Sequence, residues 1–287
     1  MNDHEVDAPA MSSVTDEELR RLARTVWRGI ERGARRLDRA CQSPRGPGND
    51  PVDPIQMPSQ IVGLSLKAVA DHARTMSMVI TDPTIGPSTA TVARGAMENF
   101  GRLHWITVGE NADSVQARSL HVLRKDIHDS GKQACFRSRK PGRPTLTQPE
   151  YLHATQAVID ELQVPGLDWS VSRALQDISK EKWPQLDPKV PYSTLSAIAH
   201  GGVPGLGQLV VDNELRLPRQ ELINQVGFVL GVADVAVHTL QRCPLPILPP
   251  GCVPAQWESI MIELDGVIKQ LMAQDTAAAP EETTTRE

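Results

Sequence analysis

One apolar segment with charges at a fixed spacing constrains this chain more than any other feature. Small and apolar side chains fill most of residues 92–105, yet Arg94, Glu98 and Arg102 recur at every fourth position. That spacing places all three charges on one face of a helix. Because the other positions offer little polar surface, the sequence predicts a helix that is buried on most sides.

The composition limits the classes of protein and partner. The 287 residues suffice for one large domain or two smaller ones, and only 3% of them are aromatic, which predicts a mainly aliphatic core. A net charge of −5 excludes a global basic field, so any nucleic-acid contact must be a local patch. No apolar signal segment precedes residue 15, and the four cysteines lack the paired spacing of a zinc site. We therefore expect a cytoplasmic protein without a membrane span, a metal or a cofactor.

Helical patterns with short connections run along most of the chain and predict an all-α fold, a multi-helix bundle. Thr15 and Glu18 have the spacing of a capping box and open an amphipathic helix. A Pro- and Gly-rich stretch follows it and predicts a linker that leaves this arginine-rich helix flexible. The predicted segments are a disordered N-terminus (1–14), the amphipathic helix (15–42), the linker (43–58), the helical bundle domain (59–273) and a disordered tail (274–287).

The N-terminal helix has a polar side rich in arginine. Two interpretations are open: an arm that binds phosphate or an acidic partner, or the solvated face that normally complements an apolar stripe. The second is the simpler interpretation. The arginines are Arg20, Arg21, Arg24, Arg28, Arg32, Arg35, Arg36 and Arg39.

A second basic segment suggests contact with DNA. Residues 139–144 read Arg-Lys-Pro-Gly-Arg-Pro and resemble the AT-hook, in which arginine enters the narrow minor groove of A·T tracts. The predicted helices within residues 148–183, with a Gly-containing turn between them, have the outline of a helix-turn-helix. The structural alternatives are a Pro-rich linker and an ordinary pair of helices. The candidate nucleic-acid residues are Arg137, Arg139, Lys140 and Arg143.

Four polar residues form the candidate catalytic or ligand-binding site. Arg94 and Glu98 belong to the apolar helix, and Arg118 lies on the next helix, near them if the two pack as an antiparallel hairpin. His200 ends a short apolar helix directly before Gly201, where the backbone allows close approach of a ligand. Such a group suits general acid–base chemistry or an anionic ligand. It equally suits a self-satisfied polar network that fixes helix register.

Two segments together resemble a family of all-helical actinomycete proteins to which no biochemistry is assigned. The pattern joins Ala93-Arg94-x-x-x-Glu98, Trp105 and Arg118 on the next helix to Tyr192-x-x-Leu195-Ser196-Ala197-x-x-His200-Gly201, within residues 59–240. Where the family has Gly-Thr-Pro after the histidine, this chain has Gly-Gly-Val-Pro.

More distantly, the predicted bundle resembles HEPN domains. In them an Arg-x4–6-His motif supports RNA cleavage without a metal. This chain departs from the motif, because Arg124 and His128 are one residue too close and His200 has no arginine in the preceding turns.

The sequence thus favours an interaction or ligand-binding protein, whose partner is a protein or a nucleic acid. Both a monomer and a homo-oligomer agree with the sequence. One alternative is a HEPN-like, metal-independent ribonuclease that uses His200 with Arg94 or Arg118. The other is a DNA-binding protein that uses residues 137–143 and the helix-turn-helix-like pair.

Overall fold

The chain folds into an all-α bundle. The computed structural model describes residues 15–41, 52–82, 84–130, 135–136, 146–165, 167–211, 213–249, 257–258 and 261–262. Within them nine helices pack together, and the predicted all-α class is confirmed. The helices are α1 (Asp16–Ala40), α2 (Met57–Val79), α3 (Pro87–Thr107), α4 (Ala112–Asp129), α5 (Gln148–Glu161), α6 (Val171–Lys182), α7 (Val190–Ala199), α8 (Val203–Gly207) and α9 (Arg219–Gln241).

Two short antiparallel strand pairs interrupt the helices. In the first, β1 (Cys135–Phe136) pairs with β2 (Leu146–Thr147). In the second, β3 (Val210–Val211) pairs with β4 (Glu214–Leu215). Each strand has two residues, so neither pair forms a layer of the fold.

Helix α1 is part of the main core. Its start is capped as predicted, because the Thr15 hydroxyl accepts a hydrogen bond from the backbone amide of Glu18 at 3.3 Å. Its apolar stripe, which includes Val26, Trp27 and Ile30, is fully buried, and the helix packs against α2 and α9. The expectation of a flexible helix apart from the bundle is therefore wrong. The physical reason is the fully apolar stripe, which is stable in water only when it is covered.

Helix α3 is the centre of the bundle. It packs against α2, α9, α7 and α6, and Ala93, Met97, Phe100 and Leu103 are completely buried. This confirms the prediction of a helix covered on most sides. Because so little of α3 reaches solvent, the positions where it does are the places at which its polar residues can meet a ligand.

Helix α4 differs from the prediction at its C-terminal end. The sequence predicts a helix that starts at Asn111-Ala112-Asp113 and reaches about Phe136. The N-cap is Asn111 as predicted, but the helix ends at Asp129, and β1 lies at residues 135–136. The side-chain amide of Gln148 donates to the backbone carbonyl of Ile127 at 2.8 Å and holds α5 to this end. Helix α4 consequently packs more extensively on α5 than on α3.

The helix-turn-helix-like pair is not formed. Helix α5 packs mainly against α4, whereas α6 packs against α3 and α9. Residues 162–170 separate the two helices and lead them to different parts of the bundle. In a helix-turn-helix the first helix packs on the recognition helix across a short turn, and α5 and α6 do not pack in this way.

Helix α9 is the most apolar long helix. Among the described residues it alone is long and apolar enough, by length and composition, to cross a membrane. In its most apolar window 67% of the residues are buried inside the bundle. A core helix of a soluble protein passes the same test, so this feature is weak support for a membrane span. The predicted last helix, 255–273, lies mostly outside the described residues.

Candidate functional site

The packing of α7 along α3 brings distant polar residues together. Leu195 and Ile198 of α7 are buried in the main core, which fixes this short helix on α3. Tyr192 lies in the first turn of α7 and His200 caps its C-terminus. Both side chains reach the same arginine of α3, Arg94. We call Arg94, Glu98, Tyr192 and His200 the Arg94 cluster.

Arg94 is held on three sides. Its Nε donates to Oε1 of Glu98 at 2.8 Å, its Nη2 donates to the hydroxyl of Tyr192 at 3.1 Å, and its Nη1 lies 2.6 Å from Nε2 of His200. The Tyr192 hydroxyl donates to the same Glu98 oxygen at 2.8 Å, which closes a ring of hydrogen bonds. The guanidinium also lies 5.4 Å from the centre of the Tyr192 ring. The side chain is therefore fixed before any ligand arrives.

The cluster lies at the surface of the bundle. The side chains of Arg94 and Glu98 are 22% and 31% exposed, and His200 is exposed. A guanidinium carries five N–H donors, and three of them are engaged in these contacts. Two donors of Arg94 are left for another acceptor, in a position that water or a small molecule reaches.

The turn after α7 fixes the position of His200. The backbone amide of Gly202 donates to the carbonyl of Ala197, and that of Gly201 donates to the carbonyl of Ile198. These two bonds are the Schellman motif, which ends a helix with a left-handed residue. Gly201 supplies that residue, with φ of +67°. The glycine that the sequence marked for close approach is thus needed for the backbone geometry itself.

The close approach is made by a different glycine. A Cβ on Gly205 of α8 would lie 2.7 Å from the backbone carbon of Ala197. Helix α8 therefore packs backbone to backbone on the end of α7. This contact supports the turn that carries His200.

Electrostatics differ among the members of the cluster. Burial raises the pKa of Tyr192, and its hydrogen bond to Glu98 and the charge of Glu98 raise it further, against the opposing effect of Arg94. For Arg94, burial lowers the pKa, but Glu98 and Tyr192 outweigh this effect and raise it overall. Arg94 is therefore a permanent cation, and Tyr192 is a neutral hydroxyl at physiological pH.

A second histidine lies beside the cluster, and sequence reasoning missed it. His72 of α2 lies against Gly95, where a Cβ would come within 2.8 Å of its Nε2. Burial lowers the pKa of His72, while the charges of Asp71 and Glu98 oppose that effect. The available signal was Gly95, because a glycine inside a helix often marks a close approach by a neighbour.

Tyr192 was also missed as a site residue, although it belongs to the pattern shared with the actinomycete family. Its signal was weak: it lies eight residues before His200, and only the packing of α7 on α3 brings both to Arg94.

One predicted site residue, Arg118, and the third charge of the α3 face, Arg102, lie elsewhere. Arg102 pairs with Asp126 of α4 at 3.1 Å, so the expected three-residue ladder on α3 is divided between two neighbours. Arg118 donates to the backbone carbonyl of Trp105 at 3.1 Å and lies 4.9 Å from the Trp105 ring. Position 105 is about 16 Å along α3 from position 94. The expectation that Arg118 belongs with the Arg94 cluster is therefore wrong, because α4 meets α3 at its C-terminal end.

Arg118 instead lines a separate small cavity of about 200 Å³. The walls come from α3, α4, α6 and the segment that precedes α6. The lining residues are His104, Trp105, Val108, Arg118, Leu167, Asp168, Arg173, Ala174 and Asp177. The residues predicted to contact nucleic acid, Arg137, Arg139, Lys140 and Arg143, lie outside the described residues.

Comparison of the chain with protein-family models, curated proteins and solved structures finds no match.

Proposed function

We propose that the protein binds a small ligand through an anionic group, a phosphate or a carboxylate, at the Arg94 cluster. The observation that carries this proposal is a guanidinium fixed by three partners, with two donors left, at a site open to solvent. Arginine presents its donors in a rigid fork that matches oxyanions. Because the fork is already fixed, binding costs less conformational entropy than it does for a free side chain.

The position of His200 supports a ligand site over a purely structural tie. Arg94, Glu98 and Tyr192 alone form a closed network that joins α3 to α7. His200 is exposed, so its contact with Arg94 adds little buried area to the fold. A polar side chain that is exposed and yet directed at a fixed cation is well placed to add a second contact to a bound anion.

Titration with inorganic phosphate tests the binding proposal. A ligand of this size should bind with a Kd of about millimolar, because few atoms contribute to its affinity. We expect Arg94→Lys, which loses the fork but keeps the charge, and His200→Ala to weaken binding severalfold. Arg173→Lys is the matched control, since Arg173 is an exposed, ion-paired arginine on α6. Equal affinity in wild type and Arg94→Lys would contradict the proposal.

A second candidate function is RNA cleavage without a metal, and the Arg94–His200 contact specifically favours it. In this reaction Nε2 of His200 exchanges the hydrogen bond that it accepts from Arg94 for one from a ribose 2′-hydroxyl and removes the proton of that hydroxyl, and the 2′-oxygen attacks the adjacent phosphorus. The 5′-oxygen leaves and takes a proton from water, which gives a 2′,3′-cyclic phosphate and a 5′-hydroxyl end. Arg94 stabilises the charge that develops on the phosphate oxygens. The distant resemblance to HEPN ribonucleases points to the same chemistry.

Incubation of single-stranded RNA with the protein in excess EDTA tests this second candidate. Cleavage to cyclic-phosphate ends that disappears in His200→Ala and persists in His153→Ala would support it; His153 is exposed on α5. Intact RNA, or cleavage that survives His200→Ala, would exclude it and leave the binding proposal unaffected.

A further inference from the structure

The outward side of α1 consists of arginine. From residue 18 to residue 41, every residue that is exposed is an arginine, and the helix contains no lysine. Successive residues of a helix are rotated by about 100°, so these arginines fall within an arc of roughly 100°. We call them the α1 arginine stripe. The stripe consists of Arg21, Arg28, Arg32, Arg35, Arg36 and Arg39.

The carboxylates of α1 neutralise the stripe only in part. Asp16, Glu17 and Glu18 lie in the first turn, where Arg21 pairs with Glu18 at 3.7 Å and Asp16 pairs with Arg219 of α9 at 3.3 Å. Farther along, Glu31 and Asp38 are only 21% exposed and lie on the flanks, where they pair with Arg35 and with Lys67 of α2. The outward arc beyond the first turn therefore keeps a strong positive charge, although the whole chain is acidic.

The apolar side of α1 is not available to a partner. Leu19, Trp27, Ile30 and Leu37 are at most 3% exposed in the main core. A helix that binds a bilayer surface inserts its apolar side, and here that side is already covered. A protein partner is usually anchored by large apolar or aromatic side chains, and the outward arc has none. The outward arc offers a row of forked cations on a helix that the core holds in place.

We propose that the α1 arginine stripe binds the sugar–phosphate backbone of a nucleic-acid duplex without reading its sequence. The helix rises by about 1.5 Å per residue, so the stripe from position 21 to position 39 is about 27 Å long. A duplex carries one phosphate charge per about 1.7 Å of its axis, so a row of this length meets several phosphates. Arginine rather than lysine suits the task, because its fork matches phosphate oxygens.

Fluorescence anisotropy with the full-length protein tests the proposal. The probes are two short DNA duplexes of unrelated sequence and one RNA duplex, titrated between 50 and 200 mM NaCl. We expect similar affinities for the two DNA sequences and a loss of roughly a hundredfold or more across this salt range, as four or more phosphate contacts require. Tighter binding of one duplex type would identify the natural form of nucleic acid.

The decisive variant is Arg28→Gln/Arg36→Gln/Arg39→Gln. It should weaken binding at least tenfold and flatten the salt dependence, since each lost phosphate contact lowers the log–log slope by about one. The matched control is Arg173→Gln/Lys180→Gln/Arg216→Gln, which removes the same charge from exposed positions elsewhere. Circular dichroism should show both variants folded.

Four results would overturn the proposal. One is no binding to any duplex at 50 mM NaCl. Another is an equal loss of affinity in both triple variants, which would show that net charge alone determines binding. The third is binding that survives the stripe variant but is lost in Arg137→Gln/Arg139→Gln/Arg143→Gln. The fourth is binding to phosphatidylserine vesicles in place of duplexes.

Discussion

Nη1 of Arg94 and Nε2 of His200 lie 2.6 Å apart, although 106 positions separate them in the chain. Because a guanidinium donates and does not accept, Nε2 of His200 is the acceptor in this contact. The single ring proton of a neutral imidazole is then on Nδ1. This contact joins the centre of α3 to the turn after α7, and the predictions below test the geometry around it.

The Tyr192 hydroxyl should titrate above its ordinary pKa. Burial and the hydrogen bond to Glu98 both favour the neutral phenol, so Glu98→Gln should lower the pKa of Tyr192 towards its ordinary value near 10. The chain has two tyrosines, so absorbance titration of Tyr151→Phe reports Tyr192 alone. Titration at the ordinary value, unmoved by Glu98→Gln, would mean that this hydrogen bond is not formed in solution.

Gly201→Ala should destabilise the protein. The left-handed backbone at this position costs an alanine about 1 kcal/mol, although no atom lies within 4 Å of the added methyl. Gly207→Ala is the control, because that site is equally open and lacks the positive φ. Chemical denaturation should show a lower unfolding free energy for Gly201→Ala and no decrease for Gly207→Ala. Equal effects would argue against the Schellman turn that holds His200.

Stability should fall in mild acid because of His104. This ring is 6% exposed, and burial lowers its pKa to about 4. Above about pH 7 the ring is neutral in both states. As the pH falls from about 6.5 to about 4, the unfolded chain binds the proton first, so up to about 3 kcal/mol of stability is lost.

Unfolding free energies at pH 7.5 and pH 5 check this prediction. The decrease in unfolding free energy from pH 7.5 to pH 5 should be smaller in His104→Gln than in the wild type. In His153→Gln, which alters an exposed histidine, the decrease should equal that of the wild type. Part of the decrease should persist in His104→Gln, since burial also lowers the pKa of His72 and His121. If His104→Gln lost as much unfolding free energy between pH 7.5 and pH 5 as the wild type, the His104 ring would be accessible to protons in the folded protein.

Gly95 and His72 should be energetically coupled. In most helices Gly→Ala stabilises by up to about 1 kcal/mol, but here the new methyl would collide with the His72 ring. We expect Gly95→Ala to cost about 1–3 kcal/mol in wild type and to stabilise in the His72→Ala background. A double-mutant cycle by chemical denaturation measures the difference. If the effects of the two substitutions on the unfolding free energy simply added, the His72 ring would not contact Gly95 of α3.

The sequence predicts the local structure of this chain better than its contacts. The period of apolar residues and the caps Thr15 and Asn111 locate helices, because these signals act within a few residues. For α6 the sequence offers Asp168 or Ser170 as the cap, and the structure has Ser170. The pairing of Arg94 with Glu98 also follows from spacing alone. Contacts between helices do not, since they depend on which faces meet in the bundle.

Arg118 shows this limit. A short connection between α3 and α4 suggested a hairpin with Arg118 beside Arg94, but α4 packs more on α5 and takes Arg118 to Trp105. The prediction that α1 is flexible was wrong for a related reason. Its apolar stripe is so long that it is stable only when α2 and α9 cover it. The sequence showed the stripe but not what covers it.

The most direct test of the proposed site is nitrogen NMR of the His200 ring with and without inorganic phosphate. In the free protein the Nε2 resonance should be that of an unprotonated nitrogen accepting a hydrogen bond, and Arg94→Lys should shift it. Phosphate should move the Nδ1 and Nε2 resonances of His200 in the wild type, and severalfold more phosphate should be needed to move both in Arg94→Lys. If phosphate moves neither resonance in the wild type, the Arg94 cluster is a structural tie between α3 and α7 and the binding proposal is wrong.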